Sequence, residues 1–249
     1  MIDVAIDAAK AAGALAYRYF KTQPKVSFKP DNSPVTRADL EAEKLIRKMI
    51  SKKFPDHGII GEEFEPVNPQ ARFKWIIDPI DGTKSFIRGI PYWSTLLGVL
   101  EDNKPIIGIC FFPAADEIYI SQKGKGAYLN HKRLRVSKVS NLKNAFISHG
   151  GLKAFKAKNK IGGLLKLVEK TQRDRGFGDA HGYVLVAQGK IDIFTEANNQ
   201  IWDVAAPSLL VEEAGGKFTD FSGKFSLTSG SDVATNGLLH SQVLKLLNE

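Results

Sequence analysis

The chain has 249 residues, enough for one large domain or two closely packed halves, with a core that needs no covalent staples. Apolar content of 43% and charged content of 25% are those of an ordinary globular chain, which excludes the disordered and fibrous classes. A net charge of +8 admits an anionic partner, while a single cysteine, Cys110, excludes an intramolecular disulfide and a thiolate metal cage.

The first residues carry acids, Asp3 and Asp7, where a signal peptide would carry basic residues. No apolar run approaches the roughly 20 residues of a membrane helix, so a cytoplasmic protein is expected. Residues 2–20 predict a helix, with Val4, Ile6, Ala8, Ala12, Leu15 and Tyr19 at helical spacing. Lys21 to Pro34 is rich in Pro and Lys and reads as a loop or irregular arm. Thr36 reads as an N-cap with Asp39 at the third helical position, and the helix runs to about Phe54 with Leu40, Ile46 and Ile50 inward.

Strands are expected at 59–60, 73–77, 95–100, 106–112 and 117–121, with Asp102-Asn103 as a hairpin turn and 123–126 as a loop. Cys110 falls inside one of these strands and reads as a small buried hydrophobe. Further on, the pattern alternates: a strand near 145–148, a helix near 163–171, a helix over 180–188 and a strand over 191–195. A helix over 204–214, strands at 217–219 and 232–235, and a helix over 238–247 follow. The first half is rich in antiparallel sheet and the second is α/β, which places a boundary near residue 140 between an N-terminal half, 1–140, and a C-terminal half, 141–249.

The chemistry concentrates in Trp75-Ile-Ile-Asp78-Pro-Ile-Asp81-Gly-Thr83. Pro79 has no amide donor, so the sheet is expected to end there, with two carboxylates three positions apart at its mouth. Gly82 permits close approach of an anion, and a helix starting near Thr83 would turn free amides toward the same point. By itself the stretch also reads as a plain acidic turn. Gly61-Glu62-Glu63 and Trp202-Asp203 add acids at other element ends. Hard oxygen ligands in this number suit Mg²⁺ bound beside a phosphate ester, and the five histidines show no zinc-ligand spacing.

These segments, with Ser33-Pro-Val-Thr36-Arg-Ala-Asp39 and Glu212-Glu-Ala-Gly-Gly216, resemble the inositol monophosphatase superfamily over nearly the whole chain. The resemblance implies a layered αβαβα fold of the inositol monophosphatase/fructose-bisphosphatase type, in which the two halves form one compact unit. It implies hydrolysis of a small phosphomonoester by metal-activated water, with no covalent intermediate. Carried onto this chain, Glu62, Asp78 and the Ile80 carbonyl would hold one Mg²⁺, and Asp78, Asp81 and Asp203 a second. Glu62 would serve a third, weaker ion through water. Thr83 would orient the attacking water, with Asp39 accepting from its hydroxyl, and the amides of Gly82 and Thr83 would grip the phosphate. Lys29 would approach the site from the arm. A homodimer, and inhibition by lithium or calcium, are also implied.

Within the superfamily, residues 81–91, the segment Thr95-Leu-Leu-Gly98, Gly178-Asp179 and Glu196-Ala197 look most like histidinol-phosphate phosphatases. Asp179 and Glu196 would pair with the amine and imidazole of that substrate, although carboxylates also accept from the hydroxyls of inositol 1-phosphate. Residues 198–201 are polar where related sequences carry glycine, and 173–178 is unusually basic. Both segments are expected in the substrate pocket. Lys84, Arg173 and Arg175 would there meet the second phosphate of 3'-phosphoadenosine 5'-phosphate, and fructose bisphosphate is less favoured. A non-catalytic nucleic-acid or anion-binding protein is the reading from another class, motivated by the net charge. Against it, the basic residues run interleaved with acids, and the dense stretches 131–135 and 153–160 lack the interleaved aromatics of a stacking surface.

Overall fold

A computed structural model describes residues 1–22, 26–28 and 34–249. Lys29, and the Ser33 end of the Ser33–Asp39 segment, lie outside the described residues. Helix α1 (Ile2–Phe20) begins the chain. Inside the segment expected to be irregular, strand β1 (Val26–Phe28) pairs antiparallel with β2 (Pro34–Thr36). Helix α2 (Arg37–Lys53) then starts on the expected cap: Thr36 accepts from Ala38, and Asp39 reaches back to the Thr36 amide.

A seven-stranded sheet follows in chain order: β3 (Gly58–Gly61), β4 (Phe73–Asp81), β5 (Ser94–Glu101), β6 (Lys104–Phe112), β7 (Glu117–Gln122), β8 (Gly126–Leu129) and β9 (Lys132–Arg133). Only β3–β4 is parallel; each later pair is an antiparallel neighbour. The β5–β6 turn is the expected Asp102-Asn103, both with positive φ, as a tight hairpin requires. Helix α3 (Thr83–Phe86) is inserted between β4 and β5.

The rest of the chain supplies β10 (Phe146–His149), α4 (Leu152–Ala157), α5 (Ile161–Lys170), β11 (Arg173–Arg175), α6 (Asp179–Ala187), β12 (Ile193–Glu196), α7 (Ile201–Glu213), β13 (Lys217–Thr219), β14 (Asp232–Thr235) and α8 (His240–Leu247). Its strands form a five-stranded mixed sheet in the order β11-β10-β12-β14-β13. Helix α4 and edge strand β11 were not expected from periodicity, being too short to show one.

Alternation along the strands builds the layers. Trp75, Ile77, Leu97, Val99, Ile107 and Ile109 face α1 and α2, whereas Leu96, Cys110 and Phe112 face α6 and α7. The other sides of α6 and α7 cover the five-stranded sheet through Tyr183, Val186, Val204 and Val211 against Phe194, Phe218 and Ala234. Beyond that sheet, Ile147, Ile193 and Val233 pack on Phe155, Leu164, Leu167 and Val243 from α4, α5 and α8. The order is therefore α-β-α-β-α.

Two expectations are corrected. The buried stripe of α1 is Ala5, Ala8, Ala9, Ala12 and Ala16 rather than its larger residues. Small side chains let the helix lie close to the sheet, where a Cβ on Gly13 would stand 2.5 Å from the Phe111 ring. Nor does the sheet end at Pro79: β4 continues to Asp81, which pairs with Ser94 after a register shift between Asp78 and Asp81. An irregular register tolerates a residue with no amide donor, and the Pro79 carbonyl accepts from the Thr95 hydroxyl at 2.9 Å.

Candidate active site

The shifted end of β4 aims its two carboxylates. Asp78 is buried, and its Oδ1 accepts from the Ile80 amide at 3.0 Å. Asp81 is buried as well, and its Oδ2 accepts from both the Ser94 hydroxyl (3.1 Å) and the Ala180 amide (2.9 Å). One oxygen thus ties the turn to β5 and to the first turn of α6. Gly82, at φ 83°, turns the chain into α3, a conformation that costs glycine little.

Asp203 comes from α7, and α7 is seated by a paired notch in the sheet. Gly98 and Gly108 are register partners on β5 and β6. A Cβ on Gly98 would lie 2.9 Å from the Cβ of Ala205, and one on Gly108 would lie 2.6 Å from the Ala206 carbonyl. The small residues of Trp202-Asp203-Val-Ala-Ala206 thereby bring the helix onto bare backbone. Asp203 lies in the first turn, with Oδ2 accepting from the Gln200 amide at 2.7 Å. Asp78, Asp81 and Asp203 each offer a carboxylate oxygen within 4.8 Å of the others.

Glu62 follows β3, its amide donating to Ile77 at 3.2 Å, and its side chain lines the same cavity. Glu43 of α2 supports this loop from beneath. It is fully buried, accepts from the Glu63 amide at 2.8 Å and pairs with Arg47 at 2.7 Å. A Cβ on Gly61 would strike its carboxylate at 2.1 Å. Glu43 was missed in the sequence; its one signal was the i, i+4, i+8 spacing of Asp39, Glu43 and Arg47 on a single face of a helix.

Burial, followed by the charges of Glu62, Asp81 and Asp203, holds the Asp78 carboxyl well above the usual range. Burial, then Asp179 and Asp203, does the same to Asp81. Asp203 is pushed up to about 7, chiefly by burial. Asp39 is pushed up to about 6, chiefly by burial and against the pull of its bonds from Thr36. Its other oxygen, Oδ1, is buried with no hydrogen-bond partner among the described residues. The Thr83 hydroxyl donates to the Ile80 carbonyl at 3.0 Å, not to Asp39, whose Oδ2 is occupied by the amide and hydroxyl of Thr36.

These acids form one wall of a cavity of about 1360 Å³. Asp179 and Glu196 line it too, as do Lys84, Lys153 and Lys158. Asp179 has φ 56°, an unusual left-handed conformation for a side-chain-bearing residue, and is the first residue of α6. Glu196 is pushed up to about 7 by burial, and its carboxylate fills the space a Cβ on Gly150 would take. Arg173 and Arg175 correct an expectation: they lie exposed on edge strand β11, outside the cavity lining. Residues 198–200 do line it. Asn199 donates to the Tyr183 hydroxyl (2.7 Å) and to Asp232 (2.5 Å), while Tyr183 donates to Asp232 at 2.7 Å. Burial pushes Asp232 up to about 8. No local motif foretells this network, because its members lie on three separate elements.

Crowded, inward-facing carboxylates that resist ionisation together, with the unsatisfied Asp39 oxygen beside them, fit a hard divalent cation. The profile described as Inositol monophosphatase family matches residues 1–249. The histidinol-phosphatase of Streptomyces coelicolor is 37% identical over 251 residues, covering 97% of this chain and 94% of that protein. The histidinol-phosphatase of Mycobacterium tuberculosis is 38% identical over 229 residues, covering 90% and 88%. The crystal structure of the extragenic suppressor protein suhB from Bartonella henselae superposes with a TM-score of 0.93 at 31% identity, covering 99% of this chain and 98% of that one. With the profile running from the first residue to the last and relatives of this identity covering nearly all of it, the chain belongs to the inositol monophosphatase family of phosphatases.

Proposed function

We propose that the chain is a Mg²⁺-dependent phosphomonoesterase acting on histidinol phosphate. The observation that carries the chemistry is the convergence of Asp78, Asp81 and Asp203 within 4.8 Å on the wall of the large cavity. Glu62, Asp78, the Ile80 carbonyl, Asp81 and Asp203 would hold two to three ions. When bound, Mg²⁺ neutralises phosphoryl charge and lowers the pKa of water. Asp81 Oδ2 already accepts two bonds, which leaves Oδ1 to face the cation. The Thr83 hydroxyl, donating to Ile80, retains a lone pair that can accept a hydrogen from the attacking water. Asp39 sits close enough to Glu62 to feel its charge, and its Oδ1, which has no hydrogen-bond partner among the described residues, would accept a hydrogen at that end. The amides of Gly82 and Thr83 would hold the phosphate.

Asp179 and Glu196 support the choice of leaving group. Both acids line the cavity, and a carboxylate there pairs with a substrate amine or imidazolium by charge-assisted hydrogen bonds. The histidinol-phosphatases among the relatives agree with that reading. Inositol 1-phosphate is the second reading, since relatives named inositol monophosphatase match at 36% identity and a carboxylate also accepts from hydroxyls. The case for 3'-phosphoadenosine 5'-phosphate weakens, because of Lys84, Arg173 and Arg175 only Lys84 lines the cavity.

The test is a kcat/KM panel of histidinol phosphate, inositol 1-phosphate, 3'-phosphoadenosine 5'-phosphate and fructose 1,6-bisphosphate, with Mg²⁺ and with chelator. Highest turnover of histidinol phosphate, abolished by chelation, is expected. Undiminished turnover in chelator would sink the metal reading, and preference for another ester would sink the substrate. The family likeness also carries the expectation of a homodimer, which light scattering checks.

A further inference from the structure

Asp179 and Glu196 would account for charge around the leaving group, yet part of the cavity lining is aromatic. Tyr92, Phe177 and His181 all line it. The His181 ring lies 5.0 Å from Tyr92, 5.8 Å from Phe177 and 5.9 Å from the buried Phe112. These are contact distances for aromatic rings. Tyr92 is 56% exposed although its chain neighbours Trp93 and Ser94 are buried, so a fixed backbone holds a ring out at the cavity mouth.

This wall is tied to the reacting turn. Asp81 Oδ2 accepts from Ser94, two residues after Tyr92, and from Ala180, one residue before His181. Gly82 is hemmed in by both carriers of the wall: a Cβ there would lie 3.2 Å from Asp179 Oδ2 and 3.2 Å from the Tyr92 carbonyl. The acid and the rings thus stand beside the turn where the phosphoryl group would sit.

Resting on the phosphatase reading above, we propose that Tyr92 and His181 are specificity-determining residues that form a ring-reading wall, and that the ester alcohol they select carries a flat, cationic nitrogen heterocycle. Burial lowers the pKa of His181, so near neutral pH it presents an uncharged ring that does not repel a cation. A flat cation gains from stacking on Tyr92 and from the π face as well as from Asp179. A polyol gains less, since its puckered ring offers C–H groups rather than a flat charged π face and its hydroxyls need polar partners.

The experiment compares Tyr92→Ala, Tyr92→Phe and His181→Phe in the full-length protein with Mg²⁺, using histidinol phosphate, inositol 1-phosphate and β-glycerophosphate. Tyr92→Ala should lower kcat/KM for histidinol phosphate about tenfold more than for β-glycerophosphate. The two Phe variants, which keep the stack, should keep the wild-type ratio. Equal losses on both esters in Tyr92→Ala, or wild-type preference for inositol 1-phosphate, would overturn the ring-reading wall while leaving the phosphatase intact. No Mg²⁺-dependent turnover of any of the three by the wild-type chain would overturn the phosphatase reading itself, and the wall with it.

Discussion

The two oxygens of Asp81 have different surroundings. Oδ2 accepts from Ser94 and Ala180, and on the proposed reading Oδ1 would face the cation. Asp81→Asn should keep the fold, because an amide oxygen can still accept both bonds. It should lower kcat at least about a hundredfold, roughly 3 kcal/mol of transition-state stabilisation, by placing an uncharged group toward the ion. Full activity with unchanged circular dichroism would refute the assignment. His240 allows a pH prediction away from the site. It is buried, bonds Thr219 and Thr235 at 2.8 and 3.0 Å, and burial lowers its pKa to about 4. A folded pKa below the unfolded value of about 6.5 means that the unfolded chain binds more protons between those limits. Stability from this group is therefore present above about pH 6.5 and lost as pH falls toward 4, by about 3 kcal/mol at most. In His240→Gln that component disappears, so the gap in Tm between wild type and variant should narrow from pH 7 to pH 4.5. A constant gap would show that His240 titrates alike in both states.

At the scale of elements, the seat of α7 would link packing to the proposed metal site through Asp203. A Cβ at Gly108 meets the Ala206 carbonyl at 2.6 Å and the Ser121 hydroxyl at 2.7 Å, and backbone cannot step aside as a side-chain tip can. Gly108→Ala should cost roughly 1–3 kcal/mol in unfolding free energy. It should also lower kcat, because Asp203 moves with its helix. Gly162→Ala on α5 is the control, since nothing lies within 4 Å of its new Cβ. That change should be neutral or stabilising by up to about 1 kcal/mol. Urea denaturation with parallel activity assays separates the two, and equal behaviour would show that the notch does not position the site.

At the scale of the whole molecule, charge is distributed in two ways. Buried acids crowd the cavity, and their raised folded pKa values mean that stability falls as pH climbs from about 4 through about 7, where Asp203 ionises. A bound cation removes that cost, so Mg²⁺ should raise the Tm of chelator-treated protein more at pH 8 than at pH 5. Equal shifts at both pH values would count against a carboxylate cation site. Basic residues are less evenly spread than interleaving suggested: no Asp or Glu occurs from Ile118 to Val168, a stretch holding twelve Lys and Arg residues. The chain outside it carries 35 − 12 = 23 basic and 27 acidic residues, a net charge of −4. Retention on a polyanion column is therefore expected at low salt, carried by this stretch, and should be lost as added salt screens it. Among the described residues, no helix is long and apolar enough to cross a membrane.

The sequence by itself determined the Thr36 cap of α2, the order of most elements, the β5–β6 turn and the three acidic segments. Each is written in neighbouring residues: Thr36 with Asp39, Asp102 with Asn103, Asp78 with Asp81. Tertiary structure alone decided what depends on distant residues. Charged Glu43 faces inward because Gly61 leaves room for its carboxylate, and the α1 stripe is alanine because the sheet lies so close. Asp232 finds Asn199 and Tyr183 from separate elements, and Arg173 and Arg175 fall on an edge strand outside the cavity. Local preference is short-ranged, whereas burial, hydrogen-bond closure and cavity shape arise only when residues on different layers meet.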